Sequence, residues 1–333
     1  MPTKKVWKHI NLERLNRTIA WRREVHEEVK VDGVRARYSG ARTVCPVCGG
    51  EDTEELAVIF SLPYRECRNC GHAFCGVAVD PDYIAEIYSG ETNYLREYAD
   101  MDMYLRRVEE IAEPKVAYVA SLCGDRRGLW VDVGCGCGHT LYAAKQHGWS
   151  TLGIEPGFAA METLNGLGIE IIDAFVDESN ASALIRNPDV LSFFGVLEHL
   201  EDPGAILRAV SGAITPETKV VIQVPRHPSL SSFCCVCMPD ITVRHMIPPQ
   251  HLHIFSEESL GIILGEAGLE IEHVWTFGQD FYELLSCVSM PNDIETSRWP
   301  RSLMGCVNDV QRVLDEHGLS DNMIVTATKR RDG

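Results

Sequence analysis

The sequence has no apolar run long enough to cross a bilayer, and no apolar h-region of a secretory signal opens it. It is also short of positive charge. Against 48 Asp and Glu stand 31 Lys and Arg, a formal net charge of −17. No dense Lys/Arg run offsets this balance, and the most basic part, the N-terminal arm, is interleaved with glutamate. Such a surface repels phosphate backbones and anionic membranes, so neither nucleic acid nor membrane is an expected partner. Internal repeats and low-complexity tracts are missing too. Cysteine, by contrast, is plentiful, with thirteen copies. Without a secretory signal the expected location is the reducing cytoplasm. There the cysteines are expected as metal ligands or small core residues, not disulfides.

A missing glycine is equally informative. The apolar run Leu129-Trp130-Val131-Asp132-Val133 ends in Gly134-Cys135-Gly136-Cys137-Gly138-His139, and a helical pattern follows. That is a buried strand, a tight turn that lets backbone approach a ligand, and a helix N-terminus. The dinucleotide pattern G-x-G-x-x-G would place its third glycine at His139, where there is none. The spacing is G-x-G-x-G, preceded by Asp132. About twenty residues later Glu155 ends the next strand, where a carboxylate can accept two hydrogen bonds from ribose hydroxyls. Together these features narrow the ligand to a nucleoside without a diphosphate.

Taken in order, residues 1–40 read as an arm, with a short amphipathic helix and two strands around Asp32-Gly33. Residues 41–78 hold the most specific local signal. Cys45-Pro46-Val47-Cys48-Gly49 is followed by Cys67-Arg68-Asn69-Cys70-Gly71, the spacing of a zinc ribbon. Four thiolates close a tetrahedral shell, so the Zn2+ is expected to be structural, with Cys45, Cys48, Cys67 and Cys70 as ligands. His72 is a possible substitute ligand, and Cys75 is expected to pack. The ribbon is expected to hold its own fold without touching the chemistry directly. Residues 79–122 read as a helical linker and cofactor lid rich in tyrosine; Tyr94, between two helices, is the first candidate to line a cleft over the glycine turn.

From 123 to 333 strands and helices alternate. Strands are expected at 129–133, 151–155, 169–172, 190–194, 219–224, 270–275 and 322–328. Insertions fall near 225–250 and 278–320. Alternation of this kind predicts an α/β fold, a doubly wound and mostly parallel seven-stranded sheet with ligands at the carboxyl ends of its strands. The 225–250 segment is too long for a plain crossover and is expected to be a lid or substrate loop. Its Cys234-Cys235-Val236-Cys237 cluster is expected to be packed, since adjacent cysteines chelate one ion poorly.

After the fourth strand come Glu198 and His199, placed to face the cleft. The stretches V-D-V-G-C-G-C-G, G-I-E-P, V-L-E-H-L-E-D-P, P-P-Q-H-L-H-I-F-S-E-E-S-L and E-A-G-L-E-I together resemble the class I S-adenosylmethionine-dependent methyltransferases. Those enzymes have a Rossmann-like sheet, and the similarity is strongest to the small-molecule branch. The zinc knuckles resemble the N-terminal domain of deoxysugar C-methyltransferases and related tailoring enzymes. The resemblance implies S-adenosyl-L-methionine as cofactor. Asp132, Gly134, Cys135, Gly136 and Gly138 would then hold its methionine part, Glu155 its ribose, and Ala174 and Phe175 its adenine. Phe194 would flank the reacting methyl group. His251 and His199, with His253 as a further candidate, would serve as base toward a small-molecule acceptor. In the C-methyltransferases an acid precedes the corresponding histidine, whereas here it is Gln250. O-methyl transfer therefore fits at least as well as C-methyl transfer. The implied acceptor is a sugar, a nucleotide-linked sugar or a secondary metabolite. The alternatives are an RNA methyltransferase with a zinc-binding recognition domain, which the acidic charge opposes, and a non-catalytic zinc-ribbon and cofactor-binding module, which the intact glycines and Glu155 oppose. The acceptor atom and the oligomeric state are not readable from the sequence.

Overall fold

The computed structural model describes residues 38–59, 62–80, 101–156, 164–239, 241, 244–247, 250–292 and 298–331. The arm up to residue 37 and Tyr94 lie outside the described residues.

The first described unit is small and all-β. Its strands are β1 (Tyr38–Ala41), β2 (Thr53–Ile59), β3 (Leu62–Cys67), β4 (Ala73–Cys75) and β5 (Val77–Val79). β2, β3 and β4 pair antiparallel, and β1 pairs with β5. Between them the two C-x-x-C-G turns curl back. Gly49 and Gly71 adopt φ of 68° and 64°, the left-handed region that glycine enters without steric cost. Their N–H groups donate to the carbonyls of Cys45 at 3.0 Å and Cys67 at 2.8 Å.

Helix α1 (Met101–Arg107) widens through a π turn at Val108–Ala112 into α2 (Glu113–Leu122). Pro114, in the first turn of α2, has no N–H for the helical ladder, so the irregular turn falls just before it. The core then alternates: β6 (Leu129–Val133), α3 (His139–Gln146), β7 (Ser150–Ile154), β8 (Glu170–Ile172), α4 (Ala181–Ile185), β9 (Val190–Phe194), α5 (Pro203–Ser211) and β10 (Lys219–Pro225). The chain closes with α6 (Leu230–Cys237), β11 (His253–Ile254), α7 (Glu257–Glu266), β12 (Leu269–Phe277), α8 (Asp280–Asn292), α9 (Arg298–Met304), α10 (Val307–Glu316) and β13 (Asn322–Lys329).

Seven of these strands form one sheet in the order β12-β13-β10-β9-β6-β7-β8. β8, β7, β6, β9 and β10 run parallel, while β13 is antiparallel to both its neighbours. All seven expected strands are present within a residue or two, and the mostly parallel doubly wound sheet is as the alternation predicts. Strand order reverses between β6 and β9, which opens a crevice at their carboxyl ends. Side chains alternate across β6. Val131 and Val133 pack on one face with Leu207 of α5 and Leu260 of α7. Trp130 packs on the other with Val116 of α2 and Leu141 of α3. Period-two alternation puts Asp132 on Trp130's face, under α2.

The expected loop at 225–250 is partly helical. Ser229 and Ser232 form a capping box for α6; Cys234 and Cys235 are buried and Cys237 is exposed. Two buried carboxylates anchor this insertion. Asp321 Oδ2 accepts from Arg244 Nε at 2.9 Å and from Ser231 Oγ at 3.0 Å, and Asp280 Oδ2 accepts from Gln311 Nε2 at 3.0 Å and Asp321 N at 3.1 Å. The Arg244 and His245 charges hold the Asp321 carboxyl well below the usual range, against the cost of burial. Among the described residues no helix is long and apolar enough to cross a membrane.

The two-residue strand β11 does not join the large sheet. It pairs antiparallel with β4, His253 opposite Phe74 and Ile254 opposite Ala73, so the four-stranded sheet reads β11-β4-β3-β2. Just beyond it, Ser256 caps α7 by accepting from Ser259 N at 2.9 Å, and its hydroxyl donates to the Cys70 carbonyl at 2.5 Å. One side chain therefore both starts a core helix and grips a cysteine knuckle. Ser256→Ala should lower unfolding free energy by about 1–2 kcal/mol, the usual worth of an N-cap, read as a lower urea midpoint; an unchanged midpoint would show the contact to be inert.

Candidate active site

The glycine turn at the end of β6 lies at the crevice. Gly134, Gly136 and Gly138 take φ of 70°, 48° and 67°. A Cβ at Gly134 would meet Val196 Cγ2 at 2.6 Å, and one at Gly138 would meet Leu164 Cδ2 at 2.3 Å. Both positions thus need glycine for conformation and for space. Glu155, only 7% exposed, follows β7, and its Oε2 accepts the Gly136 N–H at 2.9 Å. That bond draws the acid's pKa down, but burial outweighs it and the net shift is upward.

Two cavities adjoin here, sharing Gly134 and Gly195. One, about 220 Å3, is mostly apolar and is lined by Ala174, Phe175, Val176 and Ile206, with Glu155 at its side. Phe175 stands 64% exposed over it. The other, about 280 Å3, is polar and is lined by Arg107, Lys115, Asp132, Cys135, His139, Thr140 and Phe194. The Lys115 ammonium lies 5.4 Å from the Phe194 ring centroid. Asp132, 2% exposed, accepts from Ser192 Oγ at 2.6 Å, and Trp130 Nε1 in turn donates to that oxygen at 2.8 Å. Burial pushes the Asp132 carboxyl up to about 7. Burial also brings Lys115 down to about 8, and with the Arg107 and Lys115 charges holds His139 neutral, near 3. A larger depression, about 660 Å3, is lined by Arg126, Asp189, Lys219 and Glu272. It lies at the amino ends of β9 and β10, away from the turn.

Sequence reasoning missed Arg107, Lys115, His139 and Thr140. His139 and Thr140 were visible as the helix start behind the turn. Arg107 and Lys115 carry no local signal, because only the docking of α1 and α2 over the turn brings them there.

His199 also lines the apolar cavity, and Glu198 and His251 lie beside it. Glu198 and His199 lie on a 3-10 turn after β9. The Leu252 N–H donates to the Glu198 carbonyl at 2.7 Å, and His199 Nδ1 donates to the Gln250 carbonyl at 2.5 Å. The rings of His199 and His251 meet edge to face at 4.8 Å. Burial raises Glu198 to about 8 and puts His251 well below its usual range. His253, the third base candidate, does not join Glu198, His199 and His251. It is fully buried, with Nε2 donating to the Leu200 carbonyl at 2.9 Å and Nδ1 2.9 Å from His72 Nε2. The carbonyl can only accept, so neutral His253 carries its proton on Nε2 and His72 donates to Nδ1. His72 is engaged in that pair and does not join the cysteines.

The Sγ atoms of Cys45, Cys48, Cys67 and Cys70 all lie within 4.8 Å of one another. Cys45 contacts Cys70 at 3.7 Å and Cys48 contacts Cys67 at 3.6 Å. The thiol of Cys70 stabilises a Cys45 thiolate, drawing it down to about 5. Four thiol sulfurs on two tight turns match the soft, tetrahedral donor set of a structural zinc. One contact ties this unit to the segment that carries His251. Tyr64 of β3, fully buried, donates its hydroxyl to the His251 carbonyl at 2.7 Å.

A doubly wound sheet with a glycine turn, a strand-end acid and adjoining apolar and polar cavities defines a protein that binds a nucleoside-type cofactor. A family model described as a methyltransferase domain matches residues 104–274, just over half of the 333-residue chain. The chain belongs to that methyltransferase family. It is similar to a ubiquinone biosynthesis O-methyltransferase of Pseudomonas aeruginosa (strain LESB58), 23% identical over 209 residues, covering 60% of this chain and 88% of that one. Among solved structures, a SAM-dependent methyltransferase from Archaeoglobus fulgidus shares 17% identity at a TM-score of 0.45, covering 68% of this chain and 99% of that one. Magnesium protoporphyrin IX methyltransferase from Synechocystis PCC 6803 shares 14% at 0.45, covering 75% and 94%.

The buried acid in the polar cavity has a stability cost with a definite sign. The folded Asp132 holds its proton to about pH 7, against an ordinary value of 3.8. Between these values the folded state binds more protons than the unfolded one, so this group's contribution falls as pH rises through that window. Asp132→Asn should therefore raise the melting temperature of the cofactor-free protein at pH 8 and change it little at pH 4. An equal effect at both pH values would contradict a buried acid titrating near 7.

Proposed function

We propose that the protein transfers a methyl group from S-adenosyl-L-methionine to a small molecule, at a hydroxyl oxygen or a carbon of a sugar, nucleotide-linked sugar or secondary metabolite. The observation that carries this reading is the pair of adjoining cavities on either side of Gly134 and Gly195. An apolar slot beside a carboxylate suits an adenosine, and a polar chamber with two cations and a buried acid suits an amino-acid tail. The similar Pseudomonas protein is an O-methyltransferase, which supports oxygen as the acceptor atom.

In this reading Glu155 holds the ribose hydroxyls, Ala174 and Phe175 flank the adenine, and Asp132 with the turn at Gly134, Cys135, Gly136 and Gly138 seats the methionine part. Arg107 and Lys115 would face its carboxylate, and Phe194 lines the path of the methyl group. The cofactor supplies an electrophilic sulfonium methyl when bound. The protein's task is to place the acceptor in line and take its proton. His251 and His199 carry that task, held neutral by burial and thus able to accept. The segment between β10 and β11 shapes the acceptor's pocket, and residues 41–78 form a ribbon on one structural Zn2+. Nothing in a surface of net charge −17 favours RNA as the substrate.

Two variants test the two halves separately. His251→Ala should lower turnover by about 10²–10⁴-fold, the usual contribution of acid–base chemistry, while the Kd for S-adenosylhomocysteine stays within about threefold of wild type, an order-of-magnitude margin. Unchanged turnover removes His251 from the chemistry. Lys115→Met should weaken that Kd by about tenfold or more, as loss of a charge-assisted hydrogen bond does, measured by calorimetry. Unchanged affinity removes Lys115 from the cofactor seat.

A further inference from the structure

One amide at the carboxyl edge of the large sheet is only half satisfied. Gln223, near the end of β10, pairs with Phe194 of β9 on one side and Ile324 of β13 on the other. Val220, Ile222 and Val224 pack on one face of the sheet and Val221 on the face of Trp130. Alternation puts Gln223 on that second face, beside Phe194 and one strand further from the glycine turn. Its Nε2 donates to Asn322 Oδ1 at 3.4 Å. Its Oε1 is buried and has no hydrogen-bond partner among the described residues. A buried amide oxygen in that state calls for a donor.

Which end of the amide stays open is set from a distance. Asp321 is fully buried. Against the cost of burial, the Arg244 and His245 charges keep it ionised, so it can only accept. Asn322 Nδ2 meets Asp321 Oδ1 at 2.7 Å. With its NH2 turned to the carboxylate, Asn322 offers its oxygen to Gln223, and Gln223 must answer with its own NH2. The carboxylate thus directs a chain of three side chains whose outer end is an acceptor, the Gln223 oxygen.

The same chain reaches the segment that carries His251. Asn322 Nδ2 lies 3.3 Å from His245 Nε2, itself 3.4 Å from Asp321 Oδ2. The His245 ring stacks on His251 at 5.9 Å. Across the sheet, Phe277 of β12 pairs with Asn322. Phe194 and Phe277 both pack on the Trp130 face, so the two amides sit in a row between two aromatic side chains. Such a floor suits a ring compound that carries hydroxyls.

We propose that Gln223 Oε1 is a second anchor for the methyl acceptor, taking a hydrogen bond from a hydroxyl other than the one methylated. The inference rests on the reading of His251 and Phe194 as the acceptor side, and it narrows the acceptor's chemistry. The compound needs at least two O–H groups, one to surrender its proton to His251 and one to donate to Gln223. An acceptor with a single hydroxyl would leave the Gln223 oxygen buried and unpaired, which a site of this kind rejects.

Ligand-observed NMR on the full chain, saturated with S-adenosylhomocysteine, tests this. The probes are cis- and trans-1,2-cyclohexanediol and cyclohexanol, sugar-sized rings that differ by one hydroxyl. Wild type should bind one diol about three- to tenfold tighter than cyclohexanol, the usual net worth of one hydrogen bond. Gln223→Met and Gln223→Leu, both close in volume, should bind cyclohexanol at least as tightly as either diol, because the added hydroxyl then finds no partner. Both variants should keep the wild-type Kd for S-adenosylhomocysteine, which reports that they fold. No diol preference in wild type, or an undiminished preference in the variants, overturns the proposal alone. A wild-type chain that takes no S-adenosylhomocysteine contradicts the methyl-transfer reading, and this inference falls with it.

Discussion

Two residues of backbone pairing tie this molecule together. His253 and Ile254 add themselves to β4 as the last strand of the cysteine-bearing sheet, and the segment that carries His251 is held at that seam. The pairing carries few hydrogen bonds, but it brings a buried polar chain with it. Ser259, His72, His253 and the Leu200 carbonyl form one line across the boundary. Both imidazoles are driven neutral by burial. A neutral pair of this kind costs little as long as every donor finds an acceptor. Tyr64 reaches the His251 carbonyl from one side of the seam and Ser256 reaches the Cys70 carbonyl from the other. Disturbing the cysteine knuckles therefore displaces the very segment that carries His251.

The cofactor side follows a different logic. It is organised by topology, since strand order reverses between β6 and β9 and the crevice must open there. Its charges are kept apart from water at a cost. Asp132 and Lys115 are shifted toward neutrality by burial, each partly restrained by the other. Groups held this way interact more strongly with an incoming charged ligand than they would at the surface. These buried charges lower the stability of the fold, as preformed sites commonly do.

Much of the fold was legible in the sequence because the large sheet is parallel and buried. Such strands read as short apolar runs, and all seven stand where those runs stand. The turn was legible because three glycines at alternate positions have few other uses, and the cysteines because metal geometry fixes their spacing. What escaped notice depends on long-range docking. Arg107 and Lys115 reach the cleft only through the packing of α1 and α2 over β6. The Asp280–Asp321 pair becomes buried only when α6, α8 and β13 meet. His253 sits two residues from His251, but only His253 belongs to β11; His251 lies before the strand, so the alternation that would put both on one side does not hold there. Sequence spacing alone placed both beside the acceptor. The seam itself rests on a strand too short for any pattern to reveal.

The central claim is that one ligand spans both cavities across the glycine turn. A structure of the chain with S-adenosylhomocysteine bound tests it most directly. The account predicts adenine beside Phe175 and Ala174, ribose on Glu155, and the amino-acid tail among Asp132, Arg107 and Lys115. A ligand bound elsewhere, or one whose tail turns away from that polar chamber, would contradict it.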